Sequence, residues 1–171
     1  HFGANIEITS KGSKNVIQLS PSNHLQAQDY TVVGDISSAA FLIVGALISN
    51  SPGLEITNVG MNPSRTGVLE ALQKMGANIE IKNQRLESGE PCADLKVKKS
   101  VLRGVELSGD IIPNIIDEIP VLSIAAACAE GETVIRDAAE LRVKESDRLK
   151  AVSDGFNSLG VVHKNFDDGM S

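Results

Sequence analysis

Apolar residues recur along this chain at spacings typical of helices. The runs 39–48 and 119–129 are almost wholly apolar, but they are too short to span a bilayer and contain Gly or Pro, so both are predicted to be buried helices. Two more helices are predicted at 63–75 and 144–159, because their apolar positions lie three or four residues apart. These positions are Val68, Leu69, Leu72 and Met75 in the first helix, and Leu149, Val152, Phe156 and Leu159 in the second.

Shorter apolar stretches between these helices predict strands. Residues 54–59 and 133–136 each follow a Gly turn after an apolar helix. Nearer the start of the chain, 16–19 and 30–33 are also strand-like. The polar stretch 82–90 has a glycine near its end and is predicted to be a hairpin loop between paired strands.

An internal repeat predicts the architecture. The heptapeptide FGANIEI at 2–8 recurs as MGANIEI at 75–81, and more loosely as LGVVH at 159–163, each copy marking a Gly where a helix gives way to a strand. A Gly-Asp pair also precedes an apolar helix twice, at 34–35 and at 109–110, 75 residues apart.

The elements that follow each Gly-Asp pair come in the same order. An apolar helix (38–49 or 115–129) is followed by a strand, a second helix and closing strands. The repeated unit is therefore β-α-β-α-β-β, which places the chain in the α/β (α+β) class. The polar segment 19–29 predicts a linker or lobe boundary before the first complete unit.

Composition and motifs argue against some classes of partner and cofactor. The 171 residues carry a formal charge of −6, which argues against a nucleic-acid surface or an anionic membrane surface, so any anion must bind in a local pocket. Aromatic residues are only 3% of the chain, which predicts a core of Ile, Leu, Val and Ala. Neither the GxGxxG nor the GxxxxGK[ST] phosphate loop is present, so no nucleotide cofactor is expected.

The cysteines and histidines predict neither a disulfide nor a metal site. Cys92 and Cys128 are far apart in sequence and are interpreted as free thiols in a reducing cytoplasm. His1, His24 and His163 are isolated, so no zinc ligation is expected. Both ends of the chain interrupt a structural pattern, and the chain is expected to be an internal piece of a longer protein.

The densest charged cluster is RVKESDR at 142–148. On a helix, Lys144 and Arg148 would share a face, and Glu145 would neighbour Arg148. Two cations at a helix N-terminus suit a phosphate or carboxylate ligand, and an acid beside that ligand could transfer a proton. The alternative is a solvated helix start with an ordinary ion pair.

Two further sites leave their alternatives open. Asp117 and Glu118 lie within an otherwise apolar run, so a carboxylate there either faces a polar cleft or caps a helix before Pro120. Ser37 and Ser38 could hold an anion at a helix start, but N-capping by Ser or Asp is the favoured explanation.

Four of these segments, in this order, resemble the 5-enolpyruvylshikimate-3-phosphate synthase family of enolpyruvyl transferases. They are GDISSAAF at 34–41, NPSRTG at 62–67, IDEIP at 116–120 and RVKESDR at 142–148. The resemblance implies transfer of the enolpyruvyl group of phosphoenolpyruvate to the 5-hydroxyl of shikimate 3-phosphate, with release of phosphate and without a metal or organic cofactor. The UDP-N-acetylglucosamine enolpyruvyl transferases share the fold, but the last two segments fit them less well.

The family fold has two lobes, each built from three β-α-β-α-β-β units with helices packed inside and sheets outside. The resemblance implies that residues 1–32 end one lobe, and that 33–107 and 108–171 are two units of the other lobe. About two-fifths of a family member is then present. The missing third unit would leave apolar surface exposed, so a homodimer of the incomplete lobe is expected.

The resemblance also assigns roles to four residues. Asp117 corresponds to a carboxylate near the shikimate hydroxyls, and Glu145 to the acid that protonates the methylene carbon of phosphoenolpyruvate. Lys144 corresponds to a lysine on the shikimate side, and Arg148 to an arginine that grips phosphoenolpyruvate. Other anion-binding motifs of the family have no counterpart here, so this chain alone is expected to turn over little or not at all, and a non-catalytic folded lobe is the alternative.

Overall fold

The computed structural model describes residues 2–11, 14–21 and 24–171. Within them, the α-helices are α1 (Ile36–Ile48), α2 (Gly67–Lys74), α3 (Ile119–Ala127) and α4 (Arg148–Leu159). The strands are β1 (Asn5–Lys11), β2 (Lys14–Ser20), β3 (Leu54–Gly60), β4 (Asn78–Glu87), β5 (Glu90–Lys98), β6 (Glu106–Leu107), β7 (Val134–Ile135), β8 (Asn165–Phe166) and β9 (Gly169–Met170). Two 3-10 helices span Gly109–Asn114 and Ala139–Arg142. Ser22 and Asn23 of the predicted linker lie outside the described residues.

Two sheets share one topology, which confirms the predicted unit. Strands β6-β7-β9-β8 form one sheet, in which β6 and β7 are parallel. Strands β3-β5-β4 form the other, and Gly34 adds a single parallel bridge to Val59 beside β3. Both sheets therefore follow the order β-α-β-α-β-β along the chain. The predicted boundary between the two units, after residue 107, stays a prediction. Strand β6 lies just before that boundary but pairs with β7 of the later sheet.

The core is built on the two apolar helices. Helix α1 packs against α3 and against strands β3 and β5. Ala40, Ile43 and Leu47 of α1 are fully buried, at the spacing expected for one helix face. The prediction that both apolar runs form buried helices is confirmed.

Three helices begin later than predicted, because side chains or proline divert the chain before them. Asn62 accepts hydrogen bonds from the backbone N–H and hydroxyl of Ser64, which closes a turn, and α2 begins only at Gly67. Helix α3 begins at 119 rather than 115, with Pro120 in its first turn. Helix α4 begins at Arg148 because Asp147 caps it, so the expected shared helical face of Lys144 and Arg148 is wrong.

Two strand predictions are also corrected. The polar stretch 82–90 is not a loop, because β4 and β5 continue through it as far as a tight turn at Ser88 and Gly89, whose φ angles are 51° and 84°. Residues 30–33 form no strand, and pairing begins only at the Gly34 bridge. Residues 83–86 of β4 are exposed and mostly polar, which explains why this stretch resembled a loop.

The glycines of the repeated heptapeptide share a backbone conformation. Gly3, Gly76 and Gly160 have φ angles of 80°, 91° and 72°, in the left-handed region that favours glycine. Gly76 follows α2, and Gly160 caps α4. The interpretation that the repeat marks helix ends is confirmed at these two positions.

A buried carboxylate holds the sheet β3-β5-β4 together where its outer strands are irregular. Asp94 of β5 is 8% exposed and lies beside register shifts in both β3 and β4. It accepts hydrogen bonds from the backbone N–H of Asn58 (2.8 Å), from the Asn83 amide (2.8 Å) and from Arg85 (3.3 Å). Asn58 and Asn83 both have positive φ angles, so Asp94 stabilises two strained positions at once.

Replacing Asp94 by alanine is expected to lower the free energy of unfolding, because three donors lose their acceptor in the sheet. Denaturant unfolding of the full chain measures this difference. Glu55→Ala removes an exposed carboxylate from β3 and is the control, with an expected change within about 0.5 kcal/mol. Equal effects of the two substitutions would contradict the assigned role of Asp94.

The lowered pKa of Asp94 predicts how its contribution to stability changes with pH. The backbone N–H of Asn58, together with Asn83 and Arg85, lowers the pKa of Asp94 below its ordinary value of 3.8. The stabilisation is therefore complete above about pH 4 and falls as the pH drops through the folded-state pKa. The difference between wild type and Asp94→Ala should shrink below about pH 4, and a difference unchanged at about pH 3 would contradict this linkage.

Candidate functional site

Two loops that precede helices bring the predicted site residues together. Residues 115–118 lead into α3 and carry Asp117. Residues 137–147 run from β7 to α4 and carry Lys144 and Glu145. Asp147 ends this second loop as the N-cap of α4, where its side chain accepts a hydrogen bond from the backbone N–H of Lys150 at 2.9 Å.

Arg148 joins the two loops. Its Nη1 donates to Asp117 Oδ1 at 2.9 Å, while its Nε and Nη2 donate to the two carboxylate oxygens of Glu145, each at 3.0 Å. Lys144 Nζ lies 3.7 Å from the same Asp117 oxygen. The four residues predicted from the sequence therefore form one connected cluster, with Arg148 at its centre.

Glu140 is a fifth member that the sequence prediction missed. Its carboxylate lies 3.1 Å from Lys144 Nζ. A glutamate four residues before a lysine is a recognisable pairing signal, and this pair could have been found from spacing alone. Asp117, Lys144, Glu145, Arg148 and Glu140 are called the charged cluster below.

The cations of the cluster are more buried than its carboxylates. The side chains of Lys144 and Arg148 are 25% and 24% exposed, whereas those of Asp117, Glu140 and Glu145 are between 56% and 68% exposed. The cluster contains three carboxylates and two cations, so both cations are already paired. An incoming anion therefore competes with these carboxylates for the two cations.

The contacts within the cluster shift the protonation equilibria of three members. Hydrogen bonds from Arg148 lower the pKa of Glu145 below its ordinary range, and the same pair raises the pKa of Arg148. The hydrogen bond to Glu140 raises the pKa of Lys144. Glu145 is therefore a carboxylate at neutral pH in this arrangement, and its contact with Arg148 disfavours the protonated form.

The remaining candidates have structural roles. Asp35 caps α1 by accepting hydrogen bonds from the backbone N–H and hydroxyl of Ser38, so the capping interpretation of this segment is confirmed. Arg65 donates to Asp35 and to Ser37. Glu118 is buried and makes no side-chain capping bond at the start of α3, so neither acid of that run caps the helix.

The cavities lie beside the charged cluster rather than over it. A groove of about 370 Å³ between α3 and α4 has Arg148 at its edge and apolar walls that include Ile124 and Leu159. A second cavity of about 380 Å³ is lined by residues that include Thr133, Phe156 and His163. The charged cluster is therefore an open surface site with an adjoining apolar groove.

In the described part of the chain, no three His, Cys, Asp or Glu side chains converge as metal ligands would. None of the described helices has the length and apolar character needed to cross a membrane.

Comparison with known proteins gives one consistent family. The family model for EPSP synthase (3-phosphoshikimate 1-carboxyvinyltransferase) matches residues 1–171. The 3-phosphoshikimate 1-carboxyvinyltransferase of Desulforudis audaxviator is 50% identical over 169 residues, which are 99% of this chain and 38% of that protein. The corresponding Synechocystis protein is 56% identical over 147 residues, which are 86% of this chain and 33% of its own length.

A solved structure shows the same similarity. An EPSP synthase from Acinetobacter baumannii superposes with a TM-score of 0.89 at 44% sequence identity, covering 99% of this chain and 37% of that one. The chain thus spans less than two-fifths of the length of these proteins.

Replacing Arg148 by glutamine is expected to raise the pKa of Glu145 toward its ordinary value of 4.5, because the bidentate hydrogen bond is lost. Carboxyl carbon chemical shifts followed through a pH titration measure this pKa in the full chain. Lys150→Gln removes a cation from the same helix that pairs with Asp154 instead, so it should leave Glu145 unchanged. An unaltered Glu145 titration in Arg148→Gln would show that their pairing does not set its pKa.

Proposed function

The chain belongs to the EPSP synthase family, and from this we propose that its charged cluster is part of an enolpyruvyl transfer site. The proposed reaction moves the enolpyruvyl group of phosphoenolpyruvate to the 5-hydroxyl of shikimate 3-phosphate and releases phosphate. The observation that carries the proposal is the convergence on Arg148 of two carboxylates from separate loops. A carboxylate pair beside fixed cations suits an addition in which one group accepts a proton and another donates one.

Asp117 and Glu145 divide the proton transfers in this proposal. Asp117 accepts the proton of the 5-hydroxyl as its oxygen forms a bond to C2 of phosphoenolpyruvate. Glu145 donates a proton to C3, which converts the methylene group into a methyl group. The C2–O bond to phosphate then breaks, and loss of a proton from the methyl group restores the double bond.

Arg148 connects anion binding to the acid role of Glu145. The carboxylate or phosphate of phosphoenolpyruvate competes with Glu145 for the guanidinium, which recognises such groups in a bidentate geometry. When Glu145 loses these hydrogen bonds, the main cause of its lowered pKa is removed. The substrate thereby favours the protonated form of its own proton donor.

Lys144 supplies a cation on the shikimate side. Its ammonium lies between Glu140 and Asp117, and the hydrogen bond to Glu140 raises its pKa further above neutral pH. From this position it can donate a hydrogen bond to a substrate hydroxyl while Asp117 accepts a proton. An oxygen that gains negative charge is stabilised by such a fixed donor.

The described cations are too few for both substrates. Each substrate carries a phosphate and a carboxylate, whereas the cluster holds two cations that are already paired with acids. The proteins compared above are more than twice as long, and a complete site requires donors that converge from several sides. We therefore propose that this chain contributes part of the site and has little or no turnover alone.

The proposed location is the cytoplasm, and the cysteines support it. Cys92 is buried, Cys128 is exposed, and both are free thiols. Unpaired cysteines are usual in a reducing compartment.

Shikimate 3-phosphate at millimolar concentration is expected to raise the melting temperature of this chain by a few degrees, since about 1 kcal/mol of binding linkage corresponds to about 2–4 °C at this size. Lys144→Gln should remove the shift. Lys164→Gln changes the charge equally at an exposed lysine outside the cluster and should retain it. A shift that persists in Lys144→Gln would place the ligand elsewhere. Phosphate release from both substrates is a separate assay: release by the wild-type chain that disappears in Glu145→Gln would show that the chain already holds a complete site.

The homodimer was expected to form through the incomplete lobe; we propose instead that two copies associate through the β1–β2 hairpin, which lies in residues 1–32. Ile6 lies opposite Leu19 and Ile8 opposite Ile17, so all four side chains share one face, and each is 54–68% exposed. Sedimentation is expected to show a dimer at tens of micromolar that Ile8→Glu disrupts. Thr9→Glu adds the same charge to the opposite face and should leave the dimer intact, and a monomeric wild type would refute the association.

A further inference from the structure

We infer that Arg142, together with the turn between β8 and β9, positions the loop that carries Lys144 and Glu145. The inference rests on the proposed function, because only that function makes the position of the loop important. The contacts that support it are separate from those of the charged cluster. Arg142 ends the 3-10 helix Ala139–Arg142 and lies two residues before Lys144. It is a positioning residue, because it acts on the cluster through the backbone of the loop.

The guanidinium of Arg142 joins the turn to the start of α4. Its Nε donates to the backbone carbonyl of Asp167 at 2.7 Å, and its Nη2 donates to that of Phe166 at 2.7 Å. Its Nη1 donates to Asp147 Oδ2 at 3.2 Å. Asp147 uses its other oxygen to cap α4, so Arg142 fixes the helix start relative to the turn.

The same turn also holds the opposite end of the loop. Asp168 accepts a hydrogen bond from the backbone N–H of Asp137 through its side chain (3.1 Å), and from that of Ala138 through its carbonyl oxygen (2.7 Å). Asp137 has a φ of 60°, which a non-glycine residue adopts only where its surroundings hold it. The loop 137–147 is thus attached at both ends to residues 166–168.

Leu141 anchors the middle of this loop in the core, but Val143, Glu145 and Ser146 after it are exposed, so the attachment through Arg142 matters for their position. Glu145 is 68% exposed, and its ion pair with Arg148 depends on where the loop backbone places it. The planar guanidinium donates in three directions, and a lysine at position 142 would keep the charge but not the three bonds. The geometry of the acid and its arginine therefore depends on a residue that contacts neither.

Arg142→Lys tests this inference in the full chain without ligand. We expect the Glu145 carboxyl to titrate at a higher pH than in wild type, in the direction of the Arg148→Gln variant, because the loop is released. The matched control is Arg136→Lys, since Arg136 binds the same turn through Asp168 and stacks over Phe166. Both variants should lose a few degrees of melting temperature, but only Arg142→Lys should alter the Glu145 titration.

A wild-type Glu145 titration in Arg142→Lys, or an equal change in Arg136→Lys, would overturn the inference. If Arg142→Lys does not fold, Asp147→Asn replaces it, because asparagine retains a capping oxygen for Lys150 but weakens the bond to Arg142. A shifted Glu145 titration in that variant supports the inference, and an unshifted one overturns it.

Ligand binding is measured separately. The apparent Kd for shikimate 3-phosphate should rise about tenfold in Arg142→Lys, as expected for displaced site residues. Failure of wild type to bind this ligand would count against the proposed function and leave the titration result standing.

Discussion

The arrangement of the site depends on one side chain, the guanidinium of Arg148. It occupies the first position of α4 and holds a carboxylate from each of two loops. Without it, Asp117 and Glu145 would repel each other across an exposed surface, and nothing else described here links both of them directly. Because both carboxylates are more than half exposed, this link confers geometry rather than much stability.

The earlier repeat unit contains a related link. Asp35, which caps α1, accepts a hydrogen bond at 2.6 Å from Arg65, which lies 30 residues later and just before α2. Asp117 and Arg148 are 31 residues apart and occupy comparable places before α3 and at the start of α4. Each unit therefore joins the N-terminal ends of its two helices with an acid and an arginine. The later unit differs because Arg148 also binds Glu145, which is the proton donor of the proposed reaction.

Features of the fold and of the candidate site that depend on residues close together in sequence could be predicted, whereas contacts between distant residues could not. The apolar spacing that located α1 and α3 reports burial, and it predicted both helices within a few residues. Helix starts were predicted less well. Asn62 and Asp147 are both residue types that cap helices, but Asn62 accepts a hydrogen bond within a turn and only Asp147 caps a helix. The tertiary structure decides between these outcomes. The meeting of Asp117 with Arg148 lies beyond any local pattern, and it was predicted only through resemblance to a family. The anchoring of Arg142 on backbone carbonyls had no signal in the sequence, since any residue supplies a carbonyl.

The charged cluster also constrains the order of events in the proposed reaction. A proton donor must hold a proton, yet Glu145 is paired with Arg148 in the described state, and that pairing favours its carboxylate form. In the proposal, the same guanidinium also binds phosphoenolpyruvate. In the proposed reaction, anion binding therefore favours protonation of Glu145, because the substrate takes up hydrogen bonds that lower the pKa of this acid. When the acid and the substrate share one arginine, substrate binding thus raises the pKa of the acid from its lowered value.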